Sequence, residues 1–309
     1  MEGTAEPNQK SDGILSDPEA IQAARESATA VAALMRLPFR DRVWKGASGE
    51  FQGGGVGSSI DFQDHRAYIP GDDPRHINWQ AYARTGNYTM KLYREEVRPQ
   101  VDVLLDISRS MFVGKLRAMR TLELFLFCLN AAVQTGASVK AWLVSANRHR
   151  FISDVAVNTN AWAQTAIELQ EETVQSPDPP AIHTIPLRQN AMRVFVSDLL
   201  FPESPERIAS ALSARSGRGV LFAPFSHEEA EPEWQGNYEF IEAEDRERHL
   251  RRVEPALVKR YRQAYKNHFS LWKNTTAKHG IAFARVPAES PLQQALHQEG
   301  LLQRAIEMA

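Results

Sequence analysis

The sequence predicts an α/β protein, a mostly parallel central sheet flanked by helices, with a small β-rich or irregular segment ahead of it. Three observations carry this. From residue 101 onward, short apolar runs alternate with longer segments of helical period. Two of those runs lead straight into an aspartate, Asp106 and Asp198. Between residues 45 and 97 no helical period survives: six glycines cluster at Gly46, Gly49, Gly53, Gly54, Gly55 and Gly57, and aromatic and charged residues then interleave. Strand–helix alternation places parallel strands side by side with helices on both faces. Ligands of such sheets sit at the C-terminal strand ends, near a point where the strand order reverses.

Residues 1–17 are polar and read as a disordered leader. Asp17-Pro18 is a cap followed by a first-turn proline, opening a helix over 18–36 with Ile21, Ala24, Ala28, Val31, Leu34 and Met35 near one face. In domain terms, 18–44 is an N-terminal helical segment, 45–98 the β-rich segment, 99–300 the α/β domain and 301–309 a tail. Tyr88–Tyr93 is an extended run. Val101–Leu105 is a buried strand, 115–134 a helix closed by Thr135-Gly136, and Ser138–Val144 the next strand. A helix over 160–171 precedes a proline-rich loop at 176–180. Met192–Ser197 is a strand, Pro205–Ala214 a helix and Val220–Ala223 a strand. Tyr238–Ile241 follows as a strand, then a long helix from Glu254 to His279 capped by Gly280, a closing strand Ile281–Val286 and a last helix near 291–297.

The bulk numbers exclude several classes. With 309 residues and 43% hydrophobic residues the chain can bury a sizeable core. A formal charge of −2 exerts no bulk pull toward nucleic acid or an anionic membrane. One cysteine, Cys128, lies in an apolar run, which excludes an internal disulfide framework and reads as a core thiol. The N-terminus lacks the apolar stretch of a secretory signal. No segment approaches the roughly 20 apolar residues of a membrane span. Together these point to the cytoplasm.

Asp106-Ile107-Ser108-Arg109-Ser110 has the form D-x-S-x-S directly after a strand. One carboxylate and two hydroxyls at alternating positions can converge on a hard cation such as Mg²⁺, which takes octahedral oxygen ligation and keeps several waters. Residual positive charge would then invite an acidic group from a partner. The same residues would equally serve as a cap for the following helix. The motif resembles the metal-ion-dependent adhesion site (MIDAS) of von Willebrand factor A (vWA) domains. That resemblance implies a Rossmann-like vWA-type fold, a metal set of Asp106, Ser108, Ser110 and Asp198, and a threonine from a further loop, for which Thr173 and Thr184 are candidates. Mn²⁺ or Ca²⁺ would suit the same donors.

The most distinctive run is Asp61 to Trp79, containing Arg66, Tyr68, Gly71, Asp72, Asp73, Arg75, Ile77 and Asn78, and continuing through Ala83-Arg84, Lys91 and Glu95. It resembles the pattern of the DUF58 family, DF-x-x-x-R-x-Y-x-x-GDD-x-R-x-I-D-W, followed by an Ala-Arg pair and a D-x-S-x-S. Asn78 stands where the family carries aspartate. The resemblance spans about 45–300. It implies a vWA-like protein acting beside a MoxR-type AAA+ ATPase, as an adaptor that presents a client protein. From the residues alone, Pro70-Gly71 is a turn, and Asp72 and Asp73 are acceptors for Arg66, Arg75 and Arg84. Trp79 is an apolar anchor beside them. The segment is either an ion-pair clasp or a partner-binding surface.

Other signals carry less. Gly53–Ser58 lacks the lysine of a phosphate-binding loop. The nine histidines show no metal-ligand spacing, and Arg246–Arg252, preceded by Glu242, Glu244 and Asp245, reads as a solvated stretch. The functional expectation is a non-enzymatic, metal-dependent protein-interaction module. Its rivals are a scaffold with a degenerate metal site, and a metal-dependent hydrolase using Asp106, Asp198 and Asp72 or Asp73.

Overall fold

The computed structural model describes residues 11–39, 60–95, 99–173, 179–244 and 247–309; of residues 11, 12, 60–65, 76 and 91–95 it describes the backbone alone. The glycine cluster at 46–57, most of the leader and most of the proline-rich loop lie outside those residues. The chain forms two compact units, Met1–Val43 with Pro99–Ala309, and Trp44–Arg98 between them.

The larger unit opens with α1 (Pro18–Ala32). The Asp17 carboxylate accepts hydrogen bonds from the N–H groups of Glu19 and Ala20, satisfying two donors that have no partner inside the helix. Ile21, Ala24, Ala28, Val31 and Ala32 form its buried stripe. The helix is shorter than the periodicity predicts. Met35–Arg36 is a strand, β1, and Leu34 is left exposed. Strand pairing, described below, overrides the helical pattern there.

The smaller unit contains β2 (Ile60–Ala67), α2 (Trp79–Thr85) and β3 (Thr89–Glu95), with β2 and β3 antiparallel. The helix α2 corrects the expectation of strands and loops alone. None of its residues is buried, so it carries no apolar stripe for a periodicity search to find.

The central sheet belongs to the larger unit. Its strands are β4 (Gln100–Asp106), β5 (Ser138–Ser145), β6 (Arg148–Ile152), β7 (Met192–Val196), β8 (Arg218–Phe225) and, later in the chain, β11 (Ala282–Pro287). Their order is β11-β8-β7-β4-β5-β6; every pairing is parallel except β5 with β6. The helices between them are α3 (Lys115–Gln134), α4 (Asp154–Asn158), α5 (Ala161–Glu172), α6 (Glu206–Ser213) and α7 (His227–Ala230). A separate antiparallel ribbon, β9 (Gly236–Ile241) with β10 (Arg248–Val253), follows α7. The long α8 (Pro255–Lys278), α9 (Leu292–Ala295) and β12 (Glu307–Met308) complete the chain.

Side chains alternate across β4, so Val101, Val103 and Leu105 face one side and Asp102, Leu104 and Asp106 the other. The helix α3 packs on the sheet and on α1. On the opposite face, Leu104, Phe195 and Leu221 meet Ile208 and Leu212 of α6 and Tyr265, Phe269 and Trp272 of α8. Cys128 is fully buried on α3, and burial pushes its thiol pKa well above the ordinary value.

Residues 301–309 are not a tail. Ala305 and Ile306 are buried, and β12 pairs antiparallel with β1. Glu307 forms an ion pair with Arg36 at 3.1 Å. Leu15 of the expected leader is also buried, within a short turn of 3₁₀ helix over Ser11–Ser16. The Arg248–Arg252 stretch is exposed, as a solvated segment should be, but it forms a strand. β6 went unread because its sequence, Arg-His-Arg-Phe-Ile, is that of a charged edge strand.

One buried fork locks the start of β4. Asp102 is fully buried and accepts hydrogen bonds from Arg188 N (2.8 Å) and Arg188 Nε (2.7 Å). The same guanidinium donates to the carbonyls of Val101 (2.6 Å) and Ser138 (3.0 Å). Arg188→Ala strands a buried carboxylate and is expected to cost about 3–5 kcal/mol in urea unfolding. Adding Asp102→Asn should recover part of the loss by removing the unpaired charge.

Candidate functional site

The crevice lies where the topology predicts. The chain leaves β4 toward β5 on one side and returns as β7 on the other, so the C-terminal ends of β4 and β7 flank a switch point. Asp106 ends β4, and Ser197-Asp198 follows β7. Residues Asp106, Ser108, Ser110, Ser145, Asp198, Leu200, Phe201 and the segment Glu242–Glu244 are among those lining a cleft of about 330 Å³.

Asp106 is buried (1% exposed). Its Oδ1 accepts the N–H of Ser108 at 2.9 Å, and its Oδ2 accepts the hydroxyl of Ser197 at 2.7 Å. Burial, and next the negative charge of Asp198, push its pKa up to about 7, against the pull of those hydrogen bonds. Ser108 Oγ and Ser110 Oγ lie 3.1 Å apart. Asp198 is also buried (3% exposed). Its Oδ1 accepts the N–H of Leu200 at 3.1 Å, while its Oδ2 is buried without a hydrogen-bond partner. Leu199 adopts a positive φ of 61°, unusual for a residue with a branched side chain. Its carbonyl is held by His268 Nε2 of α8 at 2.8 Å.

A guanidinium stands behind these acids. Arg117 of α3 approaches Asp198 Oδ2 at 3.8 Å, pairs with Glu229 at 2.5 Å and donates to the Ser110 carbonyl. Glu229 accepts the Tyr265 hydroxyl at 2.7 Å, and Arg285 donates to that same hydroxyl at 2.6 Å. Burial, ahead of the opposing Arg117 charge, raises the Glu229 pKa. The Tyr261 hydroxyl donates to the Glu229 carbonyl at 3.0 Å. The long helix α8 thus holds the loop after β7 directly, through His268, and reaches the loop after β4 only through Glu229 and Arg117.

The structure brings Asp106, Ser108, Ser110 and Asp198 to one cleft. Of the two threonine candidates, Thr173 sits one step behind it, its hydroxyl 2.7 Å from Ser145 Oγ. Thr184 instead donates to the Ala181 carbonyl and approaches His149. The sequence nominates none of Ser145, Ser197, Arg117 and Glu229 for the site, and Glu244, expected beside a solvated stretch, instead lines the cleft. Ser197 alone left a signal, as the polar residue beside Asp198 at a strand end. Among the described residues, no three His, Cys, Asp or Glu side chains group to hold a metal ion. The donor set is two carboxylates with hydroxyls. These hard oxygens, one of them a buried carboxylate oxygen without a hydrogen bond, fit Mg²⁺.

In the smaller unit the adjacent aspartates have separate tasks. Asp72 takes a two-pronged fork from Arg66 (2.6 and 2.7 Å) and accepts the Ile69 N–H at 2.9 Å, closing the turn in which Gly71 adopts a φ of 111°. Asp73 accepts the N–H of Arg75 at 3.0 Å and pairs with its guanidinium at 2.6 Å. Arg84 is exposed and joins neither fork, which corrects the expectation of a three-arginine network. Asn78 caps α2, its side-chain oxygen accepting the Ala81 N–H at 3.2 Å. Asparagine and aspartate cap equally well, so that departure keeps the capping bond. Trp79 is 57% exposed and meets Tyr82 and Tyr88 edge-on, and Tyr82 stacks on Tyr88 with ring centres 4.5 Å apart. Tyr68 lies against Tyr88 at 6.1 Å. Trp79 thus belongs to an exposed aromatic cluster and is not an inward anchor.

The class of protein is set by this geometry: an α/β protein whose crevice gathers buried acids and hydroxyls at a switch point. Residues 64–270 match the family described as "Protein of unknown function DUF58", and the chain belongs to that family. No curated protein sequence matches it significantly. Among solved structures it is similar to the conserved hypothetical protein BatB from Bacteroides thetaiotaomicron, at 13% identity over 66% of this chain and 98% of that one, with a TM-score of 0.34. It is also similar to an aerotolerance-related membrane protein from Bacteroides fragilis NCTC 9343 carrying multiple mutations to serine, at 15% identity, 65% and 98% coverage and a TM-score of 0.29. At these scores neither structure bears on this chain's function. Among the described residues no helix is long and apolar enough to cross a membrane.

Two outcomes test the smaller unit. The Arg66 fork first, and the Ile69 N–H second, hold the Asp72 carboxyl below its ordinary value of 3.8. A lowered folded pKa means the fork stabilises fully above the ordinary value and is lost as pH falls through the lowered one. Carboxyl NMR titration should place the Asp72 midpoint below 3.8 and return it upward in Arg66→Gln. Asn78→Ala should cost about 1 kcal/mol of local stability, whereas Asn78→Asp keeps the capping oxygen and should cost less. Both are readable from hydrogen exchange at the Tyr82 and Gly86 amides.

Proposed function

We propose that the chain is a vWA-type, metal-dependent protein-interaction module, acting as an adaptor in a MoxR-type AAA+ ATPase system. The observation that carries this is the pair of buried acids, Asp106 and Asp198, facing Ser108 and Ser110 in one open cleft, with a carboxylate oxygen of Asp198 left without a hydrogen bond. Asp106, Ser108, Ser110 and Asp198 would hold Mg²⁺, or Mn²⁺ or Ca²⁺ in its place. When bound, the ion would supply positive charge for an acidic side chain of the ATPase or its client to complete. Ser197 orients Asp106 through its hydroxyl, and His268 braces the loop that presents Asp198. The two aspartate–arginine forks of the smaller unit hold a shaped turn beside exposed aromatics, consistent with a partner surface.

A second possibility is favoured by Arg117. A guanidinium 3.8 Å from Asp198 offers built-in countercharge, which suits a scaffold whose metal site has degenerated. Calorimetry separates the two. The metal-dependent module predicts saturable Mg²⁺ binding that Asp106→Ala and Asp198→Ala abolish, and a metal-dependent hold on a MoxR-type ATPase lost in both variants. At a Mg²⁺ concentration of 100 times Kd, binding should add about 2.7 kcal/mol to unfolding stability. Heat-free Mg²⁺ titrations, with partner binding indifferent to chelator, would instead establish the scaffold.

A further inference from the structure

We propose that Glu242–Glu244, the segment that follows β9, is a built-in occupant of the cleft: Glu244 holds the seat that a partner's acidic side chain takes, and this segment must lift for the partner to enter. This rests on the metal-dependent docking proposed above and names how that docking is controlled.

The seat is defined by atoms. Glu244 Oε1 accepts the N–H of Ser110 at 3.0 Å, and Oε2 accepts that of Arg109 at 3.3 Å. Both donors belong to the D-x-S-x-S loop itself. A carboxylate of this chain thus already lies across the loop that would receive a partner's carboxylate. The wall of the cleft beside it is Glu242-Ala243-Glu244, so displacing the tip opens the cleft. Asp198 lines the same cleft, its Oδ2 facing Arg117 at 3.8 Å without a hydrogen bond.

The ribbon is shaped to move at one end. β9 and β10 pair with each other and with no other strand among the described residues. Apart from Val253, no residue of the two strands is buried. The base is held: Trp234 packs against Tyr261 of α8 at 5.7 Å, and Val253 is buried beside the start of α8; nearer the tip, Phe240 rests on the Trp234 ring at 5.5 Å. The tip is closed on itself by Glu242 N–H to Glu247 carbonyl at 2.9 Å. A two-stranded arm that joins no other strand among the described residues, held toward its tip by the Glu244 carboxylate and the Phe240–Trp234 contact, can swing without unfolding the sheet.

The charges favour exchange over permanent closure. Glu244 adds its carboxylate to a crevice that already buries Asp106 and Asp198 and is lined by Glu242. The nearby guanidinium of Arg117 is engaged by Glu229 and Ser110. An acidic side chain from a partner offers the same contacts to the Arg109 and Ser110 amides, so partner and latch compete for one seat. The occupant is therefore an aspartate or glutamate presented by a protein segment.

The test uses the full chain, Glu244→Ala and acetate as the probe, with Mg²⁺ present. Glu244 is half-buried and outside the core, so the variant should fold. The latch predicts that Glu244→Ala speeds hydrogen exchange at the Arg109 and Ser110 amides about tenfold, with β4 and β5 unchanged. It also predicts saturable acetate-induced NMR shifts at those two amides in the variant, at concentrations where the wild type gives none. Identical exchange and identical acetate response in the two proteins would overturn the latch. Mg²⁺ calorimetry on the same samples separates the two proposals. Mg²⁺ binding with no unmasking in Glu244→Ala removes the latch and leaves the metal module standing. Unmasking without Mg²⁺ binding supports the latch and removes the metal dependence.

Discussion

Everything at the crevice depends on β4 being paired on both sides. Between its ladders to β5 and β7 the strand is buried from Val101 to Asp106, and the polar residue at its end is carried below the surface with it. Asp106 is consequently an acid that water cannot solvate. The protein answers with a backbone N–H from its own loop and a hydroxyl from the strand next door. Because that hydroxyl belongs to Ser197, the two loops flanking the switch point are tied together through Asp106. Asp198 inherits its position from the same bond, one residue further on.

The remaining problem is electrostatic. Two buried acids face each other, and Arg117, the cation nearest them in the described structure, is shared with a third acid, Glu229. Behind Glu229, the Tyr265 hydroxyl and the Arg285 guanidinium extend the polar chain into the aromatic layer, where Arg285 lies 3.9 Å from the Phe269 ring and 4.1 Å from that of Phe225. A line of alternating charge thus runs from the crevice into the core between the sheet and α8. Such chains are costly to interrupt, since each member satisfies the next. The strain in Leu199 sits at the crevice end of this line, where backbone tension often accompanies a functional loop.

Much of the architecture is legible in the sequence because burial is periodic. The helix over 115–134 is readable from end to end, with an apolar face and a glycine at 136 in the left-handed region. The parallel strands are readable as apolar runs, and Asp106 and Asp198 stand out as charges at their ends. What fails is whatever has no period. The helix at 79–85 buries nothing, β6 is a charged edge, and the ribbon strand 248–253 looks like solvated surface. β1 and β12 are two residues each, and their partners come from distant parts of the chain. At the crevice, Arg117, Glu229 and Glu244 reach it through tertiary contacts alone, so local pattern could not nominate them. Asp72 and Asp73 show the reverse case. Their neighbouring arginines suggest ion pairs, and the structure divides those pairs between the two carboxylates.

The smaller unit interrupts the larger one: residues 44–98 lie between α1 and β4, although α1 packs on α3 and β1 pairs with β12. For the larger unit, those residues are one loop whose ends must be gathered during folding. The entropy of gathering grows only with the logarithm of loop length, so doubling it costs roughly 0.6 kcal/mol. Natural variation in the length of the inserted unit is therefore nearly invisible to the sheet, whereas a change to α1's buried stripe is not. The insertion point is where this fold can accept new sequence without disturbing the ladders of β4.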